Sequence, residues 1–231
     1  MNKLRILSGG AAQGLVSGLA AQFEHATGFS IAGEFSAVGR MKSRLRNGTP
    51  ADAVILTSAV IEELTRDGHV TGGSAVALGT VQTGVAVRCG DQAPRVDTTD
   101  TLRNTLLAAD EIFIPDFQQA TAGVHFAKVL RTLGIWNEVE PRLRSFPNGA
   151  TAMRELAAAT SARPIGCTQV TEIVNTPGVR LVGSLPPGCE LATVYTAAVC
   201  TGAQHPEEAR ALIALLSGDG ARQIRERLGF M

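Results

Sequence analysis

"LRILSGGAAQG", residues 4–14, begins with an apolar run at 4–7 and ends in a stretch with glycines at positions 9, 10 and 14. An apolar helical stripe starts directly afterwards at Leu15. A buried strand that passes through glycines into a helix predicts a βα unit. The free amides and the dipole at such a helix start favour anion binding. We therefore expect either an anion-binding loop here or a tight βα turn without a ligand.

Two phosphate-binding motifs are excluded at this loop. A P-loop requires lysine and then serine or threonine after its last glycine, where this chain has Leu15 and Val16. The glycines also lack the G-x-G-x-x-G spacing of a dinucleotide-binding turn. An anion bound here is expected to be held by backbone amides instead of a lysine.

Strand and helix patterns alternate along the rest of the chain. Strands are predicted at 30–35, 52–56, 80–88, 111–115, 164–167 and 191–200. Helices are predicted to begin near residues 15, 38, 58, 121, 150, 207 and 221. This alternation predicts an α/β protein whose mostly parallel sheets are flanked by helices.

The two longest extended runs, 80–88 and 191–200, are predicted to be crossovers between two lobes. Residues 1–80 and 195–231 would then form one lobe, and residues 81–194 the other. A ligand cleft is expected between the two lobes.

The composition of the chain excludes several function classes. Its 231 residues include 21 Lys+Arg and 21 Asp+Glu, so that no net charge attracts nucleic acid. One Trp and one Tyr offer little surface for stacking on bases. No apolar run approaches the ~20 residues of a membrane-spanning helix. We expect neither a nucleic-acid partner nor a membrane-embedded protein.

The location of the protein is predicted from its start and its cysteines. Only two apolar residues separate Arg5 from Ser8, which is unlike a secretory leader. The four cysteines form no CxxC pair, as expected of free thiols in a reducing compartment; they are Cys89, Cys167, Cys189 and Cys200. The prediction is a cytoplasmic protein, or a periplasmic one if a leader precedes this sequence.

Four stretches together resemble the molybdate-binding family of periplasmic solute-binding proteins. They are FSAVGRMKSRLRNGTPADAVIL (35–56), TAGVHFAKVLRTLGIW (121–136), RPIGCTQVTEI (163–173) and RERLGF (225–230). The resemblance covers nearly the whole chain. It implies a two-lobe periplasmic-binding-protein-like fold that closes on a small anion, and it extends to relatives similar to aconitate isomerase.

The resemblance also implies positions for the ligand-binding groups. The hydroxyl and amide donors of the family fall at Ala11, at Ala37 or Val38, at Ala122, near Thr151 and at Gln169. Two or three hydroxyl groups of the family are therefore absent here, whereas backbone donors can be retained.

Arg40, at the start of the second predicted helix, suits a carboxylate ligand because a guanidinium binds a carboxylate through two charge-assisted hydrogen bonds. The alternative is an exposed helix face shared with Lys42, Arg44 and Arg46. The full set of expected ligand-binding residues is Gly10, Ala11, Ala12, Gln13, Ser36, Val38, Gly39, Arg40, Ser58, Thr121, Ala122, Thr151 and Gln169.

Four side chains are candidates for a catalytic base: Glu34, Asp116, His125 and Cys167. Each also has a structural interpretation, as a solvent-facing strand residue, a turn former, a surface or packing histidine and a core thiol. No cofactor is expected, and no cluster has the spacing of metal ligands.

Two functions from different classes follow. The first is a cytosolic isomerase that binds a di- or tricarboxylate and transfers a proton across an allylic system. The second is a substrate-binding protein for molybdate or a similar oxyanion, in which case the permease of an ABC transporter is a partner.

Overall fold

The computed structural model describes residues 2–231, which fold as alternating strands and helices. The strands are β1 (Asn2–Gly9), β2 (Phe29–Ser36), β3 (Ala53–Thr57), β4 (Val76–Arg88), β5 (Glu111–Pro115), β6 (Leu143–Phe146), β7 (Pro164–Gln169), β8 (Val179–Ser184) and β9 (Ala192–Val199). The helices are α1 (Gln13–Thr27), α2 (Val38–Arg46), α3 (Ser58–Arg66), α4 (Thr99–Ala108), α5 (Thr121–Thr132), α6 (Trp136–Val139), α7 (Gly149–Ala158), α8 (Val170–Val174), α9 (Pro206–Ser217) and α10 (Arg222–Arg227).

The chain divides into two compact units. Unit 1 contains the chain through Val81 together with Thr193–Met231, and unit 2 contains Gln82–Ala192. The chain thus leaves unit 1 within β4 and returns to it at the start of β9.

Unit 1 is built on a sheet in the order β2–β1–β3–β9. Strand β1 is parallel to β2 and to β3, and β9 is antiparallel to β3. Helix α1 covers this sheet because Leu15, Leu19 and Phe23 recur every fourth residue and are all buried. Gly28, at φ 74°, ends that helix in the left-handed conformation.

Unit 2 is built on strands in the order β4–β7–β5–β6, with β8 also paired to β4. Strand β5 is parallel to β6 and β7, whereas β4 is antiparallel to β7 and β8. Helix α7 packs closely on β7, where a Cβ on Gly166 would lie 2.5 Å from Cε of Met153. One side of unit 2 is filled by apolar residues such as Ile112, Phe126 and Leu130.

These units confirm the predicted α/β class, with parallel strands flanked by helices. Strand β5 has the predicted bounds, and β4 starts four residues before the predicted run. The prediction did not include α4, β6 or β8. Strand β8 contains five exposed or half-buried residues out of six, so its sequence lacks the apolar run that marked the other strands. Within residues 2–231, no helix combines the length and the apolar character needed to cross a bilayer.

Candidate functional site

The carboxyl ends of three strands meet at one edge of unit 1. Gly9 at the end of β1 is the register partner of Ser36 at the end of β2, and β3 ends beside them at Thr57. A 3₁₀ turn, Gly10–Ala12, follows β1 and leads into α1, while α2 and α3 follow the other two strands. In open α/β sheets ligands bind at this edge.

Within the described part of the chain, residues 2–231, no side chain caps the 3₁₀ turn, α2 or α3. Because first-turn amides have no partner inside a helix, these groups remain available as donors. The start of α2 also lies close to the end of β1, since a Cβ on Gly9 would be 3.1 Å from Cγ2 of Val38. Three helix starts at one edge make an electropositive region without a charged side chain.

The predicted ligand-binding residues of unit 1 are brought together at this edge. Gly10, Ala11, Ala12, Gln13, Ser36, Val38, Gly39, Arg40 and Ser58 all lie at a strand end or in a first helical turn. The hydroxyl of Ser58 approaches Glu62 Oε1 at 3.3 Å. Ala11 and Ala12 are buried, and because their side chains are methyl groups, only their backbone atoms can bind an anion.

Arg40 differs from the other cations of α2. Lys42 pairs with Glu63 at 3.0 Å, Arg44 pairs with Glu34, and Arg46 pairs with Glu63 and Asp67. The guanidinium of Arg40 is exposed and makes no hydrogen bond or ion pair with any of residues 2–231. It stands in the first turn of a helix, where the dipole disfavours a cation. An anion at the strand edge would compensate for that unfavourable position.

Glu34, a candidate base, is accounted for by this pairing. Its side chain is 48% exposed and forms the ion pair with Arg44 across β2 and α2. A carboxylate in an exposed ion pair is occupied by its partner, so Glu34 is a weaker base candidate than Asp116.

Unit 2 has a corresponding edge, formed by the ends of β5, β6 and β7. The amide of Asp116, directly after β5, donates to the carbonyl oxygen of Phe146 at 2.6 Å. Oδ1 of Asp116 accepts the amide hydrogens of Gln118 at 2.7 Å and Gln119 at 3.0 Å. Asp116 thus shapes the loop that leads to α5, as its interpretation as a turn former predicted.

None of the side chains that the structure describes caps the start of α5, which packs tightly on this loop. A Cβ on Gly123 would overlap the carbonyl oxygens of Pro115 and Asp116. Thr121 is half-buried and Ala122 is buried, both in the first turn. These two predicted ligand-binding residues therefore offer free amides, as the residues of unit 1 do.

The start of α7 is filled by the protein itself. Oδ1 of Asn148 accepts the amide of Thr151 at 2.8 Å. The buried carboxylate of Glu172 accepts the hydroxyl of Thr168 at 2.5 Å, as well as the amides of Ala150, Gly149 and Gln169. The amide of Thr151, expected as a backbone donor to the ligand, is therefore already engaged, and its hydroxyl accepts from Arg154 at 3.0 Å.

Burial raises the pKa of Glu172, and the hydroxyl of Thr168 together with the three amides partly offsets that rise. The sequence analysis missed this carboxylate. The available signal was a glutamate three residues after the end of β7, the position from which a capping box returns a hydrogen bond to the N-cap amide.

Gln169, the last residue of β7, is 2% exposed, and neither Oε1 nor Nε2 has a hydrogen-bond partner among residues 2–231. Thr83, its register partner on β4, and Thr171 are also buried with unpartnered hydroxyls. Buried side-chain polar atoms without partners are few in native proteins and need an explanation.

The remaining base candidates differ in their surroundings. Nε2 of His125 lies 2.8 Å from the carbonyl oxygen of Cys189, so this nitrogen carries the proton in the neutral ring. Burial raises the pKa of the Cys167 thiol well above its ordinary value, which keeps the thiol protonated. Cys167 is thus suited to a core position and not to proton abstraction.

A cavity of about 680 Å³ lies in unit 2 at the opposite, amino-terminal edge of the strands, lined by Val87, Ala109 and Arg163 among others. Its charged side chains are paired locally, as Arg163 is with Asp110 at 2.9 Å and Arg95 with Asp97 at 3.1 Å. Among residues 2–231, no group of three or more His, Cys, Asp or Glu side chains is arranged to hold a metal ion.

Known proteins resemble this chain over nearly its full length. Aconitate isomerase of Pseudomonas sp is 29% identical over 232 residues, which cover 96% of this chain and 86% of that protein. Molybdate-binding protein ModA of Escherichia coli (strain K12) is 23% identical, with 99% of this chain and 88% of that protein covered. The predicted resemblance to molybdate-binding proteins and to aconitate isomerase is confirmed.

A solved structure shows the same fold. The periplasmic molybdate-binding protein of Azotobacter vinelandii superposes with a TM-score of 0.81 at 19% identity, over 99% of this chain and 98% of that one. The sequence model described as bacterial extracellular solute-binding protein matches residues 4–231. The chain therefore belongs to the bacterial extracellular solute-binding protein family.

Proposed function

We propose that this protein binds a small organic di- or tricarboxylate and isomerises it by proton transfer. The observation that carries the proposal is the unpaired guanidinium of Arg40 at an edge of uncapped helix starts. A bidentate guanidinium–carboxylate pair contributes about 1.5–3 kcal/mol. The 29% identity to aconitate isomerase, whose name identifies an organic acid, supports the same class of ligand.

The isomerisation needs one base and no cofactor. A base removes a proton from the carbon next to a double bond, the electron pair shifts across the three-carbon system, and the proton returns at its far end. Helix-start amides and a guanidinium would stabilise the negative charge that develops on the adjoining carboxylate. The substrate and product contain the same atoms, and the protein ends in its starting state.

Asp116 is the residue we propose as the base. It follows β5 at the strand edge of unit 2 and is half-buried. Both amides that it accepts bind Oδ1, so that Oδ2 keeps its lone pairs for a substrate proton. His125 is the second choice, through Nδ1, because its Nε2 faces the carbonyl oxygen of Cys189.

Proton NMR of the purified protein with cis- and trans-aconitate tests the reaction. We expect interconversion, with exchange of one carbon-bound hydrogen in deuterated water. Asp116→Asn keeps the acceptor at Oδ1 and removes the base, so turnover should fall by about 100-fold or more while binding persists. An unchanged rate in Asp116→Asn excludes Asp116 as the base, and no conversion of any organic acid excludes the isomerase.

Binding is tested separately with a thermal-shift panel of organic acids and oxyanions. Arg40→Gln should weaken the binding of aconitate by about 10- to 100-fold. Arg44→Gln on the same helix is the matched control, because Arg44 already pairs with Glu34 and its loss should leave affinity nearly unchanged.

A second function is favoured by the amide donors, which suit a small oxyanion equally well. In that case the protein is the molybdate- or oxyanion-binding component of an ABC transporter, it works in the periplasm, and a permease is its partner. The 23% identity to ModA supports this alternative. Stabilisation by molybdate alone in the same panel would select it over the cytoplasmic isomerase.

A further inference from the structure

Unit 2 contains a group of buried polar side chains to which neither the fold nor the capping of its helices gives a role. Thr83, Gln169 and Thr171 are 1%, 2% and 3% exposed, and their side-chain polar atoms have no partners among residues 2–231. The other buried polar side chains of this edge are satisfied, as Thr168 and Glu172 are by each other. The unpartnered atoms are therefore confined to a few positions.

Two of these side chains lie side by side. Thr83 on β4 is directly opposite Gln169 on β7 in the antiparallel register. Residues paired in this way project from the same face of a sheet, with Cβ atoms about 5 Å apart. Gln169 is also the last residue of β7, at the edge where the strand ends of unit 2 meet.

The backbone of Gln169 is already engaged, which leaves the carboxamide as its free group. Its amide donates to Glu172, whose carboxylate also fills the start of α7. The carboxamide offers a donor at Nε2 and an acceptor at Oε1. Because both ends are unpartnered, the conclusion is the same whichever way the amide is turned.

The arginines of unit 2 differ from Arg40 in having contacts within the protein. All nine of its arginines are engaged, in ion pairs, in hydrogen bonds to carbonyl or hydroxyl oxygens, or over the ring of Trp136; they are Arg88, Arg95, Arg103, Arg131, Arg142, Arg144, Arg154, Arg163 and Arg180. Each of these guanidinium groups has at least one contact of this kind, in contrast to Arg40 of unit 1.

A carboxylate oxygen of a ligand could form hydrogen bonds with only some of the unpartnered atoms of Thr83 and Gln169. It accepts from Nε2 of Gln169 and from the hydroxyl of Thr83, but it cannot donate to Oε1. A neutral O–H group satisfies both ends of the carboxamide, because it donates to Oε1 while an oxygen of the same ligand accepts from Nε2. Two parallel hydrogen bonds of this kind select a ligand that carries an O–H group and also fix its orientation.

We propose that Gln169 and Thr83 form a neutral subsite in unit 2 that binds an O–H group of the ligand and determines which acids the protein accepts. This inference rests on the proposed function, in which the ligand is an organic acid. The O–H group is either an alcohol hydroxyl or a carboxyl that stays protonated when bound. The two sources share one chemistry, and they are distinguished by separate measurements.

The first measurement tests for binding of an alcohol hydroxyl. Titration calorimetry compares the affinities of acids that differ by one hydroxyl group: citrate with tricarballylate, and malate with succinate. If the subsite binds a hydroxyl, the hydroxylated acid should bind about 100-fold more tightly, because a site built to pair a hydroxyl rejects the analogue that lacks it.

The second measurement tests for binding of a protonated carboxyl group. It titrates the protein with trans-aconitate in phosphate and in Tris near neutral pH. If the subsite binds a protonated carboxyl, the apparent enthalpy should differ between the buffers as expected for the uptake of about one proton.

Gln169→Met is the decisive variant, since it keeps the length of the side chain and removes both polar atoms. It should abolish the hydroxyl preference or the proton uptake, whichever the unchanged protein shows. Thr83→Val provides a second variant that should reduce the same effect. Gln22→Met on the exposed face of α1 is the matched control and should change neither quantity.

The outcomes separate the two proposals. Acids that bind without a hydroxyl preference and without proton uptake overturn the neutral subsite and leave the proposed function intact. An effect that persists in Gln169→Met and in Thr83→Val also overturns it. If no organic acid binds, the proposed function fails, and the subsite fails with it.

Discussion

The strand edges of the two units carry the same succession of strand end, loop and helix start, but their helix amides have different partners. In unit 1, the 3₁₀ turn, α2 and α3 begin without a side-chain cap. In unit 2, α5 begins in the same way, whereas α7 is closed by Asn148 and by the buried carboxylate of Glu172. A helix start can bind an external anion only where no internal group already occupies it.

The comparison also explains the division of charge between the units. Unit 1 combines free amides with an unpaired guanidinium at Arg40, an arrangement that favours a full negative charge. Unit 2 adds a buried neutral pair, Thr83 and Gln169, next to an internal carboxylate.

The largest expected effect comes from disturbing the closed start of α7. In Gly149→Ala the new Cβ would overlap Oε2 of Glu172 and Oγ1 of Thr168, so the carboxylate has to leave its amide donors. Overpacking and unsatisfied buried groups together should lower the free energy of unfolding by about 3 kcal/mol, measured by urea denaturation.

Gly72→Ala is the matched control for this replacement, because a Cβ there meets nothing within 4 Å. It should leave the urea midpoint nearly unchanged. If Gly149→Ala is as stable as the control, the start of α7 is not closed as described, and the contrast with unit 1 disappears.

A smaller effect is expected from giving α2 the cap that it lacks. Ala37 is the residue before α2 and has an extended conformation, with φ −56° and ψ 138°. Ala37→Ser supplies an oxygen for a first-turn amide and should stabilise the unliganded protein by about 1 kcal/mol. The same oxygen competes with the ligand for that amide, so affinity for aconitate should fall severalfold.

Ala37→Cys is the control for Ala37→Ser, because its sulfur is similar in size but a weak acceptor. It should not stabilise the protein, and it should not compete with the ligand for the first-turn amide, so the affinity for aconitate should fall less than in Ala37→Ser. Tighter binding of aconitate in Ala37→Ser would contradict the view that the free amides of α2 contact the ligand.

The sequence could predict this architecture because its signals are local. The run EIFIP marks β5, and the helical stripe after Thr121 marks α5, and both elements occupy those positions. A short stretch is enough for such predictions, since strand and helix periodicities extend over only a few residues. The half-buried residues of β8 carry no such periodicity, which is why that strand was missed.

Whether each charged side chain is ion-paired or free could not be predicted, because the partners are distant in the sequence. The second predicted helix holds four cations, and the sequence singles out Arg40 only by its position in the first turn, not by the absence of an ion-pair partner. Their partners are Glu34 on β2, Glu63 on α3 and Asp67 just beyond α3. For the same reason the sequence does not show that Glu172 reaches α7, which starts more than 20 residues earlier.

The smallest expected effect is on the pH dependence of stability, and it concerns the carboxylate that closes α7. Burial places the pKa of Glu172 above its value of 4.5 in the unfolded chain, so the folded protein binds this proton more tightly. The corresponding contribution to stability is fully present below about pH 4.5 and is lost as the pH rises through the folded pKa. Glu172→Gln cannot titrate and lacks this contribution.

Urea denaturation of both proteins between about pH 4 and pH 7 measures the effect. The free energy of unfolding of the unchanged protein, minus that of Glu172→Gln, should decrease as the pH rises. Asp110 and Asp67, whose pKa values are lowered by their arginine partners, favour the opposite trend, but they are present in both proteins and cancel in the difference. Parallel curves would mean that the pKa of Glu172 is the same in the folded and the unfolded chain, which would contradict the effect of burial on this carboxyl group.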